Sequence, residues 1–419
     1  MANGHPEGTD GPAANLLQSS LLAVVAGALG GALAALVILG VEKAQGMIWG
    51  AAINKGLAPG DSPVFTLGIT IGVGLVLALL QRHRSPALLP EINDTLRSLR
   101  GPEPPGERGQ GRKLLGGLLA LIGGGSLGPE ALVTHLVVLV SRRVWRGNDR
   151  TVVAAAMAGS LGLFHTPLAG ASALVDRRWE LIWRWLPGTV GGVAGFLSFN
   201  GLDGLAGGLE GVSYHWPVVN QQTIPTMLGT LVGGVIGSGC GLALLGWRRW
   251  LQGFEPLRRF WPTPILTGAL LGLALWTLPL TNFSGEHQLK PLLLGTWALT
   301  PGLAILSGVA KLLMVGLCLE TGWRGGKFFP VIVGSCAIGL GLHQLVPQIG
   351  TLETWCGSVV GGCLGALMPS PLLALVLGIT LLQGHGSGAL VLGLLVSLWG
   401  LRIIRRMQAS GRGLQVDPQ

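Results

Sequence analysis

One short pattern, Gly-Gly-x-apolar-x-Pro, occurs twice in this chain, at Gly124–Pro129 and again at Gly325–Pro330. Each copy is followed by a second proline that enters an apolar run. Pro167-Leu168-Ala169-Gly170 comes 38 residues after Pro129, and Pro371-Leu372-Leu373-Ala374 comes 41 residues after Pro330. Glycines leave backbone amides uncovered, and a proline suits the first turn of the helix that follows. A helix start of this kind carries unpaired N–H donors at the positive end of the helix dipole, so it attracts anions. A single glycine run between apolar segments reads more readily as a close helix-packing contact. Two copies in corresponding positions instead point to a duplicated membrane protein, with broken helices meeting near the bilayer midplane.

The composition agrees. Hydrophobic residues make up 49% of the chain and charged residues 11%, a balance that excludes an ordinary soluble globule. Fourteen apolar runs can be drawn between Leu21 and Ile403, several of them shorter than the ~20 residues that a spanning helix needs. The sequence therefore predicts an all-α polytopic membrane protein with tilted and partial helices. The runs are uniformly apolar rather than alternating, which excludes a β-barrel. The expected organisation is a disordered tail over 1–15, a membrane domain over 16–406 and a short tail over 407–419. Within the membrane domain, repeat one covers about 64–200 and repeat two about 225–403.

A net charge of +9 might suggest a nucleic-acid partner, but its distribution points elsewhere. Twenty-two of the 28 Lys and Arg residues fall in five stretches: 82–113, 142–150, 177–184, 248–259 and 402–412. The stretch Asn200–Gln222 has none. By the positive-inside rule the five basic stretches are cytoplasmic, with Asn200–Gln222 and the Thr281–Lys290 loop outside. The five cysteines are scattered without metal-ligand spacing and read as small buried hydrophobes. Nothing calls for a cofactor. Ser126 lacks the Gly-x-Ser-Gly context of an intramembrane hydrolase, and no Gly-Lys-Ser/Thr follows the glycine run, so neither an enzyme nor a phosphate loop is expected.

Several stretches together resemble the CLC family of chloride channels and chloride/proton exchangers. Pro90-Glu91-Ile92 is similar to the end of that family's Gly-Ser-Gly-Ile-Pro-Glu-Ile. Gly125-Ser126-Leu127-Gly128-Pro129 resembles Gly-Lys/Arg-Glu-Gly-Pro, and Phe164–Gly170 resembles Phe-Asn-Ala-Pro-Leu-Ala-Gly. Ser284-Gly285-Glu286-His287 and Gly326-Lys327-Phe328-Phe329-Pro330 follow in the right order. The resemblance implies an inverted repeat of tilted helices, a homodimer with one pore per subunit, and chloride held by backbone N–H groups. Here those would belong to Leu127 and Gly128 and to Lys327 and Phe328. The bilayer is the other partner, and a bacterial inner membrane the expected location.

The departures from the family pattern bear on mechanism. The family's gating glutamate falls at Leu127, which has no charge to compete with chloride and carries no proton. The inner proton-transfer glutamate, counted from Pro167, falls at Arg177, preceded by Asp176. The pore serine falls at Ala87, and the only tyrosine, Tyr214, lies in an outer loop. The position before the gating glutamate, usually basic, is Ser126, while a lysine stands at 327. Lys327 either adds positive potential to the pore or pairs with a carboxylate such as Glu320.

These changes predict a passive anion channel. Two alternatives stay open: an anion/proton or fluoride/proton antiporter using Glu130 or Asp176, and a non-conducting relative. Glu130 lies in the first helical turn, where a carboxylate is favoured, but one residue turns a side chain about 100° around the helix. That argues for helix-start stabilisation over gating. His135, His165 and His287 read as structural.

Overall fold

The computed structural model describes residues 12–50, 63–82, 88–100, 109–145, 150–174, 182–205, 224–254, 262–278, 280–294, 299–368 and 370–409. Among these, sixteen α-helices account for nearly all the ordered backbone, and no strand forms. The first half contains α1 (Pro12–Trp49), α2 (Pro63–Gln81), α3 (Ile92–Arg100), α4 (Gln110–Ile122), α5 (Glu130–Val144), α6 (Arg150–Ser160), α7 (Leu168–Leu174) and α8 (Ile182–Leu205). The second half contains α9 (Ile224–Gly253), α10 (Thr263–Thr277), α11 (Glu286–Leu293), α12 (Pro301–Glu320), α13 (Phe328–Leu345), α14 (Leu352–Leu367), α15 (Pro371–Leu381) and α16 (Ser387–Ala409). Helix α1 thus begins inside the stretch expected to be a tail.

Among the described residues, six helices are long and apolar enough to cross a membrane, namely α1, α2, α9, α12, α13 and α16. Polar caps followed by proline set where some helices begin. Thr300 caps α12 by accepting from the Leu303 N–H, with Pro301 in the first turn, and Ser370 caps α15 through Leu373 with Pro371 next. The apolar run Leu292–Leu319, which reads as continuous in sequence, is accordingly split between α11 and α12. Many large side chains face outward, including Leu21, Val64, Leu197, Met227 and Trp399, all more than half exposed. In water such a surface would aggregate; against lipid it is the expected exterior.

Both halves contain a tightly packed trio of helices. In the first, α1, α6 and α8 approach so closely that a Cβ on Gly27 would lie 2.1 Å from the Gly191 carbonyl oxygen, and one on Gly159 would lie 2.1 Å from that of Gly27. In the second, α9, α14 and α16 meet in the same manner through Gly237 against Val359 and Gly393 against Ser358. Backbone-to-backbone approach of this kind, driven by dispersion rather than water exclusion, is how helices associate in lipid. Helix α1 holds the place in the first trio that α9 holds in the second. Between the trios, the starts of α5 and α13 face each other.

Candidate functional site

The two glycine motifs, about 200 residues apart, meet here through their backbones. The Gly128 N–H donates to the Gly326 carbonyl at 2.8 Å, and the Gly326 N–H donates to that of Gly128 at 2.7 Å. Glycine is required at this bridge because its open side is filled. A Cβ on Gly128 would lie 2.0 Å from Glu130 Oε2, and one on Gly326 would lie 1.9 Å from Glu130 Cδ. The Glu130 carboxylate has folded back from the first turn of α5 into the notch between the two glycines.

There, Glu130 Oε1 accepts a 2.7 Å hydrogen bond from the Phe328 N–H, the first amide of α13. Glu130 is fully buried, and its Oε2 has no hydrogen-bond partner among the described residues. A carboxylate at a helix N-terminus is stabilised by the uncovered amide and by the dipole of the helix behind it. From the first turn of its own helix, this carboxylate caps the opposing one. The second-half anion donor named from sequence, Phe328, is therefore engaged by an anionic side chain of the protein itself.

The first-half donors differ from expectation. The Leu127 N–H donates to the Gly125 carbonyl at 2.8 Å, and the Gly128 N–H is used in the bridge, so neither is free to hold an anion. The amides of Gly123, Gly124 and Gly125 donate to the last carbonyls of α4, and Gly124 takes a positive φ of 86° to make the turn. The Leu127 side chain is 1% exposed and packs in an apolar cluster with Leu121, Ala131 and Trp323. Ser126 is fully buried, and its hydroxyl has no partner among the described residues. Ala87, Asp176 and Arg177 lie outside the described residues.

Lys327 pairs with a carboxylate, but with Glu91 rather than Glu320. Its Nζ lies 2.8 Å from Glu91 Oε2, and both side chains are largely buried. Arg248, near the end of α9, reaches Glu91 Oε1 at 2.5 Å and Glu320 Oε1 at 2.7 Å. Glu91, in the segment leading into α3, thus ties the first half to α9, the end of α12 and the start of α13. Arg248 belongs to the basic stretch 248–259, which the positive-inside rule expects on the cytoplasmic side.

On the opposite side, a cavity of about 50 Å³ is lined by Glu42, Gln45, Leu127, Pro129, Glu286 and His287, among others. Glu286 stands within electrostatic reach of both Glu42 and Glu130. His287 Nε2 lies 3.9 Å from Glu42 Oε1. The wall is held by Lys311 of α12, which is fully buried and donates to the carbonyls of Leu280, Asn282 and Phe283 at 2.7, 3.0 and 3.2 Å. Thr281–Lys290, the loop expected outside, contributes Phe283 through Gln288 to the lining of this cavity. Thr281 and Asn282 are fully buried, and Glu286 opens α11. The other histidines bond locally, His135 to Gln110 at 2.9 Å and His165 to Asn200 at 3.1 Å.

Sequence reasoning quoted Glu91 only within the Pro90-Glu91-Ile92 match and did not single out Arg248, and nothing in the local sequence marks Glu91 as the shared partner of Lys327 and Arg248. It weighed Glu130 for helix-start stabilisation and for gating, and the structure bonds its carboxylate to the start of α13.

Residues 72–401 match the family model described as voltage gated chloride channel. The putative ion-transport protein YfeO of Shigella flexneri is 26% identical over 379 residues, covering 83% of this chain and 84% of that protein. Its counterpart from Escherichia coli O139:H28 is 27% identical over 384 residues, with the same shares. Among solved structures, a slow cyanobacterial Cl-/H+ antiporter aligns with a TM-score of 0.73 at 20% identity, over 94% of this chain and 99% of that one. A CLC-type fluoride/proton antiporter aligns with a TM-score of 0.67 at 19% identity, over 92% and 95%. At such identities the structures establish the fold. The family match runs from α2 into α16 and takes in both glycine motifs, so the chain belongs to the voltage-gated chloride channel (CLC) family.

Proposed function

We propose that this protein moves small anions, chloride foremost, across the membrane, and that the Glu130 carboxylate competes with the anion for the start of α13. One observation carries this: Glu130 Oε1 accepts the Phe328 N–H, the donor a passing anion needs, at 2.7 Å. The ionised carboxylate and a chloride ion are then alternative ligands for the same amide. Protonation removes the carboxylate's charge and most of its advantage, so the side chain leaves and the anion enters. The amide supplies partial rather than full charge, which keeps binding shallow enough for release. Anion passage and proton binding at Glu130 are thereby linked, and transport quickens as pH falls. The two solved antiporters of the same fold move anions against protons, which agrees with a titrating carboxylate in the path. A homodimer in a bacterial inner membrane belongs to the same proposal; the YfeO relatives are bacterial.

A second reading, passive conduction independent of protons, is favoured by Leu127 at the family's gating position. In it, Glu130 is a fixed brace between α5 and α13. The two readings separate in chloride-loaded liposomes carrying the purified protein, with valinomycin added and a pH electrode outside. Chloride efflux that accelerates in acid supports Glu130 as the gate, and proton movement opposed to chloride would make the transport coupled. Efflux indifferent to pH supports passive conduction. No chloride movement from folded protein would refute both.

A further inference from the structure

The charged network around Glu91 adjoins a cation, Arg324, that has a buried donor unengaged among the described residues. Arg324 sits on the loop between α12 and α13, three residues before Lys327 and four before Phe328. It stands within electrostatic reach of Glu320, Glu91, Arg248 and Asp94. Yet its Nε is sealed from solvent and donates to no group among the described residues. Around it, Glu91 already serves Lys327 and Arg248, and Glu320 serves Arg248. Three cations thus share two buried carboxylates, with Asp94 exposed at the rim. A buried guanidinium N–H left without an acceptor is costly, and a planar fork of such donors suits a small anion.

We infer that Arg324 forms a small-anion station at the cytoplasmic end of the pathway, from which the anion passes to the Phe328 amide. The sequence gives the station a purpose. The hydroxyl groups the CLC resemblance would put at the inner end are absent, with Ala87 at the serine position and Tyr214 the only tyrosine. A side-chain cation takes over the work of those hydroxyls. Lys327 does not compete for the role, because Glu91 holds its ammonium. The ligand class is a monovalent inorganic anion such as chloride or bromide. Glu91 and Glu320 repel it enough to keep binding weak and release fast. This assignment requires that the protein handles anions but does not require Glu130 to be the gate.

The test is calorimetric titration of sodium bromide into the full-length protein in detergent, comparing wild type, Glu130→Gln, Arg324→Gln and the double variant. Glu130→Gln frees the central amide, so it should bind bromide at two sites, and the double variant at one. Loss of Arg324 should weaken or remove the second site by at least tenfold in Kd. Equal site number and affinity in Glu130→Gln and the double variant would overturn the inference. Should Arg324→Gln fail to fold, Arg324→Lys in the same background keeps the charge but loses the fork, and is expected to raise Kd about two- to fivefold; an unchanged Kd there would also overturn it. If Glu130→Gln binds no more bromide than wild type, the Glu130 reading fails instead, and the Arg324 comparison still stands in the wild-type background.

Discussion

Replacing Glu130 with glutamine tests the gate with little change in volume. The ionised carboxylate holds the Phe328 N–H through a 2.7 Å charge-assisted hydrogen bond, an interaction worth about 1.5–3 kcal/mol. At 1.4 kcal/mol per factor of ten, that advantage over an incoming anion corresponds to about 10- to 150-fold in occupancy. Glutamine mimics the protonated acid and loses most of it. Glu130→Gln is therefore predicted to raise chloride efflux at pH 7.5 by one to two orders of magnitude. It should also flatten the pH dependence, since the titrating group is gone. The sign follows from the competition: in wild type the plug is charged and seated at high pH and leaves as protons bind, so efflux rises as pH falls. Valinomycin-driven efflux from liposomes, followed with a chloride electrode between pH 4.5 and 7.5, measures both effects. A variant that keeps the wild-type rate and pH profile would refute the reasoning, because Glu130 would then be only a brace.

Other predictions rest on neighbouring contacts. Gly326→Ala places a Cβ 1.9–2.3 Å from the Glu130 carboxylate atoms, so it should expel that side chain and reproduce the pH-insensitive efflux of Glu130→Gln; a retained wild-type pH profile would contradict it. Glu91→Ala strips Lys327 of its buried partner and Arg248 of one of two. Breaking such a pair costs about 3–5 kcal/mol, which a thermal melt in detergent would show as a clear fall in Tm. Lys311→Met leaves three buried carbonyls without their donor. At about 1–3 kcal/mol for each unsatisfied group, the variant should melt well below wild type, and an unchanged Tm would show that the Leu280–Phe283 turn does not depend on Lys311.

Much of this was legible in the sequence. The two Gly-Gly-x-apolar-x-Pro motifs located the site, because glycine and proline act on the backbone directly and leave the same trace wherever they occur. Phe328 was named through the CLC resemblance, and its amide is the first of α13, bonded to Glu130. The reach of Glu130 to the opposing helix was not legible, for a geometric reason. A rotation of 100° per residue describes where a side chain leaves the helix axis, but side chains in the first turn also tilt back toward the N-terminus. That tilt carries the Glu130 carboxylate past its own helix start to the amide of α13. The Lys327–Glu91 pair was out of reach for another reason. Its members are 236 residues apart, and charge alone made Glu320, close in sequence, the natural candidate. Lys311, a buried ammonium within an apolar helix, donates to the carbonyls of Leu280, Asn282 and Phe283, and no local pattern in Thr281–Lys290 announces that contact.

The most direct test of the account is anomalous diffraction from crystals of wild type and Glu130→Gln soaked in bromide. The account predicts a bromide peak within hydrogen-bond distance of the Phe328 N–H in the variant, at the place Glu130 Oε1 holds in wild type. A variant crystal with bromide elsewhere in the pathway and none at that amide would contradict it.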